Sequence, residues 1–171
     1  MRRAVVPALV VVALLVSGCA EESPAQTLAS TKSVPELLRI YAAGLIPAEA
    51  IEFRETDAQK SESCSDDDEA TLRAWKASIR FTLESDFAAE SEHIAGDVVS
   101  ELEAKGWKSD KKERDGTTTW ALESATLPST LQISAVGDPD GNGKGATIFI
   151  AATGPCVEAS SAEVQELESK Y

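Results

Sequence analysis

Few side chains in this sequence are placed to do chemistry. Three cysteines stand at positions 19, 64 and 156, a single histidine at 93, and Asp138-Pro139-Asp140-Gly141-Asn142-Gly143 puts side-chain oxygens at alternate positions. Oxygens at positions one, three and five with glycine at six form the first half of a calcium loop. Asp138, Asp140 and Asn142 are therefore the candidate metal ligands. The second half fails, because the twelfth position, which should bring a bidentate glutamate, is Phe149 inside an apolar stretch. A remote carboxylate from the run Asp66 to Glu69 would have to complete the set. A hairpin loop made of turn-forming residues is the favoured alternative, since half a ligand set holds a hard cation weakly.

Enzymatic patterns are missing from the sequence. His93 has no nucleophile signature to serve, no Gly-x-Ser-x-Gly occurs, and the carboxylates are scattered over polar positions. One histidine and two cysteines that pair with each other leave zinc only carboxylates. The expectation is a non-enzyme with no catalytic residues and no cofactor beyond the calcium question. A hydrolase without a recognisable motif and a calcium-stabilised envelope domain are the alternatives. Trp75, Trp107 and Trp120 have rings that could line a sugar or peptide groove, but each occupies the apolar position of its element and reads as core. Lys76, Arg80 and Thr82 make a small basic stripe, which reads as a solvated face.

The first cysteine has a different context. Arg2 and Arg3 precede thirteen residues of apolar character, Ala4 to Val16, and then Val16-Ser17-Gly18-Cys19. The run is too short to span a bilayer, which takes about 20 residues, and suits the apolar core of a signal peptide. This segment resembles the lipobox of bacterial lipoproteins. The resemblance covers the first 19 residues and implies export, cleavage before Cys19 and a thioether-linked diacylglycerol on its sulfur. It also implies a cell-membrane lipoprotein on the extracytoplasmic face, tethered without spanning. In that oxidising compartment the remaining pair, Cys64 and Cys156, is expected to form a disulfide closing a loop of nearly 100 residues.

Removing the first 18 of 171 residues leaves 153, and losing Arg2 and Arg3 takes the formal charge from −13 to −15. That length suits one domain with a real core. The charge makes nucleic acid an implausible partner and sets the domain against anionic headgroups. The expected partners are the membrane, through the N-terminal lipid, and an envelope protein or small ligand.

Several elements are legible. Residues 19–32 lack periodicity and read as a lipid-anchored flexible tether, with the domain occupying 33–171. Ser33 and Glu36 have capping-box spacing ahead of a helix that runs to Ala43 and ends at Gly44 and Pro47. Residues 48 to 70 read as an irregular acidic loop. From Arg73 to Glu84 the alternation is unbroken, with Trp75, Ala77, Ile79, Phe81 and Leu83 on one face. Ile94, Val98 and Leu102 mark a helix over Ser91 to Lys105, stopped by Gly106. Asp115-Gly116 joins a hairpin of Trp107–Arg114 with Thr117–Glu123, and Thr130–Val136 matches Ala146–Thr153. A capping-box pair, Ser160 and Glu163, opens a last helical turn or two.

The expected fold is α+β. It comprises an antiparallel sheet of about five strands, an N-terminal helix and one long helix after the first strand, stapled by the disulfide. The tryptophan-bearing strand, the helix ending in Gly106-Trp107, the paired strands and Gly154-Pro155-Cys156 resemble in layout small actinobacterial lipoproteins. That resemblance covers residues 64 to 157 and implies an extracellular domain without catalytic residues.

Overall fold

The computed structural model describes residues 26–55, 59–65, 71–137 and 145–170. The strand marked by the strictest alternation is its organising element. β3 runs Leu72–Leu83, and Trp75, Ala77, Ile79, Phe81 and Leu83 are each no more than 1% exposed. β3 pairs with β7 (Thr147–Thr153), β7 with β6 (Thr130–Val136), β6 with β5 (Thr117–Ser124) and β5 with β4 (Trp107–Arg114), every pair antiparallel. The register lines up one apolar row: Ile79 opposite Ile150, Ile150 opposite Ile133, and Ile133 opposite Trp120. A slip of one residue in any pair would turn that row to water, so burial sets the register.

On the other side of β3 the expectation of an irregular acidic loop is overturned. β1 (Ile51–Glu55) pairs with residues 80–83 and β2 (Lys60–Ser63) with residues 73–76. A further short strand, β8 (Val157–Glu158), continues beyond β7 along the start of β3. Among the described residues the sheet therefore has eight strands where about five were expected. These three are short and rich in charged and polar residues, so they carry little apolar alternation. They form because β3 is long enough to offer its backbone to two partners on each edge.

Four α-helical segments are present among the described residues: α1 (Leu28–Thr31), α2 (Ser33–Ala43), α3 (Ser91–Glu103) and α4 (Ser161–Glu168). The expected tether therefore ends earlier than Ser33. Thr27 is the N-cap, with Thr27 and Ser30 forming the reciprocal capping box, and Leu28 is fully buried. Ser33 is not the cap; Lys32 before it is already helical, so α1 runs almost straight into α2. Pro35 has no N–H to give the Thr31 carbonyl, which accounts for the interruption.

All four helices pack on one face of the sheet. α2 and α3 supply Ala42, Ala43, Ile94, Val98 and Leu102 to a core shared with Ile79, Leu122, Leu131 and Ile148. α1 and α4 meet a smaller cluster, in which Leu28, Trp75, Val157 and Ala159 are buried and Val164 and Leu167 pack against them. Gly106 takes a φ of +91° after α3, and Asp115 and Gly116 take +50° and +74° at the expected hairpin turn, the pairing of positive angles that suits the strand twist. Cys64 and Cys156 form the disulfide, 92 residues apart in sequence. It links the segment after β2 to the residue just before β8. Among the described residues no helix is long and apolar enough to cross a membrane.

Candidate functional site

Each of the chemically capable residues has a definite place or lies outside the described residues. Cys19 lies outside them, as do Asp138, Asp140 and Asn142 of the half calcium loop. Among the described residues no group of three or more His, Cys, Asp and Glu side chains is arranged to hold a metal ion. His93 stands on the outer side of α3, 77% exposed, with Nε2 3.7 Å from Asp97 Oδ2. Trp75, Trp107 and Trp120 are buried.

A shallow groove of about 720 Å³ separates α3 from β4 and β5, lined by Glu92, His93, Asp97, Glu103, Ser109, Lys111 and Trp120 among others. Lys111 Nζ lies 2.8 Å from Glu92 Oε1 and 2.9 Å from Glu113 Oε1, and it sits 5.7 Å from the centre of the Trp120 ring. The hydrogen bond from Lys111 holds the Glu92 carboxyl below its ordinary range. Glu92 and Glu113 in turn push the Lys111 ammonium above its own. Both groups are driven away from neutrality, the opposite of what a proton-transfer pair needs. Chemically the groove holds a closed, solvent-exposed ion pair.

The opposite face of the sheet is different in kind. Among the described residues no helix packs on it. It carries the alternate set of side chains from β3, β7, β6, β5 and β4, and β1 extends it. Phe53 of β1 stands opposite Thr82 and is 61% exposed. The next row begins with Glu55 opposite Arg80, and Arg80 continues to Phe149, Ser134, Thr119 and Lys112. The Arg80 guanidinium lies 5.8 Å from the Phe149 ring centre and 3.7 Å from Glu55 Oε2. The Thr119 and Ser134 hydroxyls are 3.0 Å apart. Lys76 Nζ is 3.1 Å from Glu62 Oε1.

The sequence-predicted stripe of Lys76, Arg80 and Thr82 is thus on this face, and acidic partners from β1 and β2 neutralise its two cations. Those partners are hidden in the sequence because their strands are. Phe53 has one available signal, an aromatic in a short segment with β-branched Ile51 before it. No family model matches the chain, and no curated protein is similar to it. The face is an open array six strands wide of threonines, alanines, two phenylalanines and paired charges. At its β4–β5 end the face holds an open hollow of about 470 Å³ lined by Lys112, Arg114, Thr117 and Thr119 among others.

Proposed function

We propose that this chain is a lipid-anchored cell-envelope protein, held by Cys19 on the outer face of the cytoplasmic membrane, and that the helix-free face of its sheet binds another envelope protein. The observation that carries the reading is Phe53, 61% exposed at one edge of that face, with the Arg80–Glu55 pair in the adjoining row and Phe149 beyond Arg80 in it. Aromatic and arginine side chains set in a polar surround are the composition of protein-binding patches. An open surface six strands wide offers the area that a protein partner needs. The lipobox at Cys19 and a disulfide suited to an oxidising compartment support the location.

Two measurements test it. Intact mass of the membrane-extracted protein, with a Cys19→Ala control, reads the lipid directly; a mass without diacylglycerol removes the anchor. A photo-crosslinking residue at Phe53, Phe149 or Thr119 in living cells should give one discrete adduct. The same residue at Glu101, on the exposed side of α3, should give none. Adducts from Glu101 alone would place the interaction elsewhere and overturn the assignment of the sheet face.

A further inference from the structure

α2 is built with its apolar side outward. Its charged residues are tucked away: Arg39 is buried, and Lys32, at the start of the helix, pairs with Glu36 at 3.4 Å. The side facing water carries Ser33, Leu37, Ile40, Tyr41 and Gly44, all exposed and none charged. Leu37 is 65% exposed, Ile40 52% and Tyr41 40%. Spacings of three and four residues set these side chains side by side as one ridge. In a helix docked on a core, this is where charges normally stand, and the rest of the mature chain is strongly acidic.

We propose that this ridge seats on the lipid surface to which the chain is anchored. The proposal rests on the lipid-anchor reading and adds to it a definite orientation. Cys19 and Gln26, the first described residue, are seven positions apart, so even at full extension the bilayer is within ~25 Å of the domain. α1 follows at once, with Leu28 buried, and among the described residues α2 is the first helix to present an apolar side outward. The acidic remainder of the surface is repelled by anionic headgroups, which leaves an uncharged ridge as the face that can approach. Lys105 Nζ lies 5.9 Å from the centre of the Tyr41 ring, and tyrosine with lysine is the pairing found at the level of the headgroups. Seated in this way, Leu37 and Ile40 enter ~5–10 Å into the interface. The helix-free sheet face, on the opposite side of the domain, then points away from the membrane.

The test uses the full lipidated protein in phosphatidylcholine vesicles, with an environment-sensitive fluorophore on Ser33→Cys or, on the far sheet face, on Lys112→Cys. Brominated lipid should quench the fluorophore at 33 and leave that at 112 unchanged. Leu37→Ser combined with Ile40→Ser should lower the docking equilibrium roughly a hundredfold, about tenfold for each side chain, and abolish the quenching while the disulfide and circular dichroism are retained. A fluorophore at 33 that stays in water on protein whose mass shows diacylglycerol overturns the seating and leaves the anchor intact. A mass without lipid overturns the anchor and the seating together. Shielding at 33 that brominated lipid does not reach, with disulfide crosslinking between two unlabelled copies of the Ser33→Cys variant, identifies a second copy as the occupant and also overturns the proposal.

Discussion

Arg39 and Ser78 meet beneath α2, where the arginine Nη1 donates to the Ser78 carbonyl across 3.5 Å. The arginine is 8% exposed, and its Nε has no hydrogen-bond partner among the described residues. Burial pushes its pKa down, nearby Arg54 adds to that, and Glu36 opposes it. One long hydrogen bond offsets only part of the cost of taking a guanidinium out of water. What the site gains most from is the apolar stem. Arg39→Met should therefore leave stability within about 1 kcal/mol of the parent or raise it, whereas Arg39→Ala should cost about 2 kcal/mol through lost packing. Urea denaturation of both variants measures the difference, and a loss in Met as large as in Ala would mean the charge itself is needed.

The Cys64–Cys156 bridge spans 92 residues. Chain-entropy reasoning gives it a stabilising effect of about 4.6 kcal/mol. Cys64→Ser with Cys156→Ser, or reduction of the parent, should lower the unfolding free energy by that order and shift Tm down together. Equal unfolding curves with and without reductant would show that the native sheet already supplies the constraint.

The two faces of the sheet should separate stability from binding. Ile150 is fully buried at the centre of the apolar row, and Ile150→Ala should cost about 3 kcal/mol. Phe53→Ser should change stability by no more than about 0.5 kcal/mol while removing the crosslinked adduct of the sheet face. Loss of fold in Phe53→Ser would make the ring structural.

Glu92 and Lys111 give a pH signature whose sign can be worked out. The Glu92 carboxyl is lowered in the folded protein, so its stabilising effect is present above the unfolded glutamate pKa and is lost as pH falls through the lowered folded value. The Lys111 ammonium is raised, so its effect is present below the unfolded lysine pKa and is lost as pH rises through the raised folded value. The pair thus acts across the neutral range and fades at both extremes. Both side chains are about half exposed, which keeps the effect small. Lys111→Met should return the Glu92 carboxyl upward toward its ordinary range, read by its side-chain NMR titration; no movement would mean that Lys111 is not the cause.

Much of the sheet can be read from residue order because burial writes itself into a two-residue period. Trp75 to Leu83 and the matched sets in β6 and β7 show that period, and Asp115-Gly116 marks its hairpin by the only backbone such a turn accepts. β1, β2 and β8 leave no such mark. Their residues are half-solvated, and what makes them strands is the free backbone of β3, a property of the assembled sheet. Residue order puts the cap of the first helix six residues late for a related reason: Ser33-Val34-Pro35-Glu36 has the right letters, yet the buried Leu28 holds the helix open further upstream. The outward ridge of α2 is visible as a broad stripe from Leu37 to Leu45. A stripe shows which residues are apolar and not which of them the core takes, and the core takes the alanines.

The disulfide also divides the chain by how it bears load. Five of the eight strands, β3 to β7, lie inside the loop that the sulfurs close, while α1, α2, β1 and β2 lie outside it on the N-terminal side. A partner gripping the open sheet face while the membrane holds the N-terminus would pull the domain between these two points. Tension would first draw Leu28 from its place against Trp75 and then strip the leading helices, whereas the segment behind the sulfurs could not be drawn out at all. Under the proposed anchor and partner, the covalent link would act as a stop, letting the leading segment run out as slack before the gripped surface lost its shape.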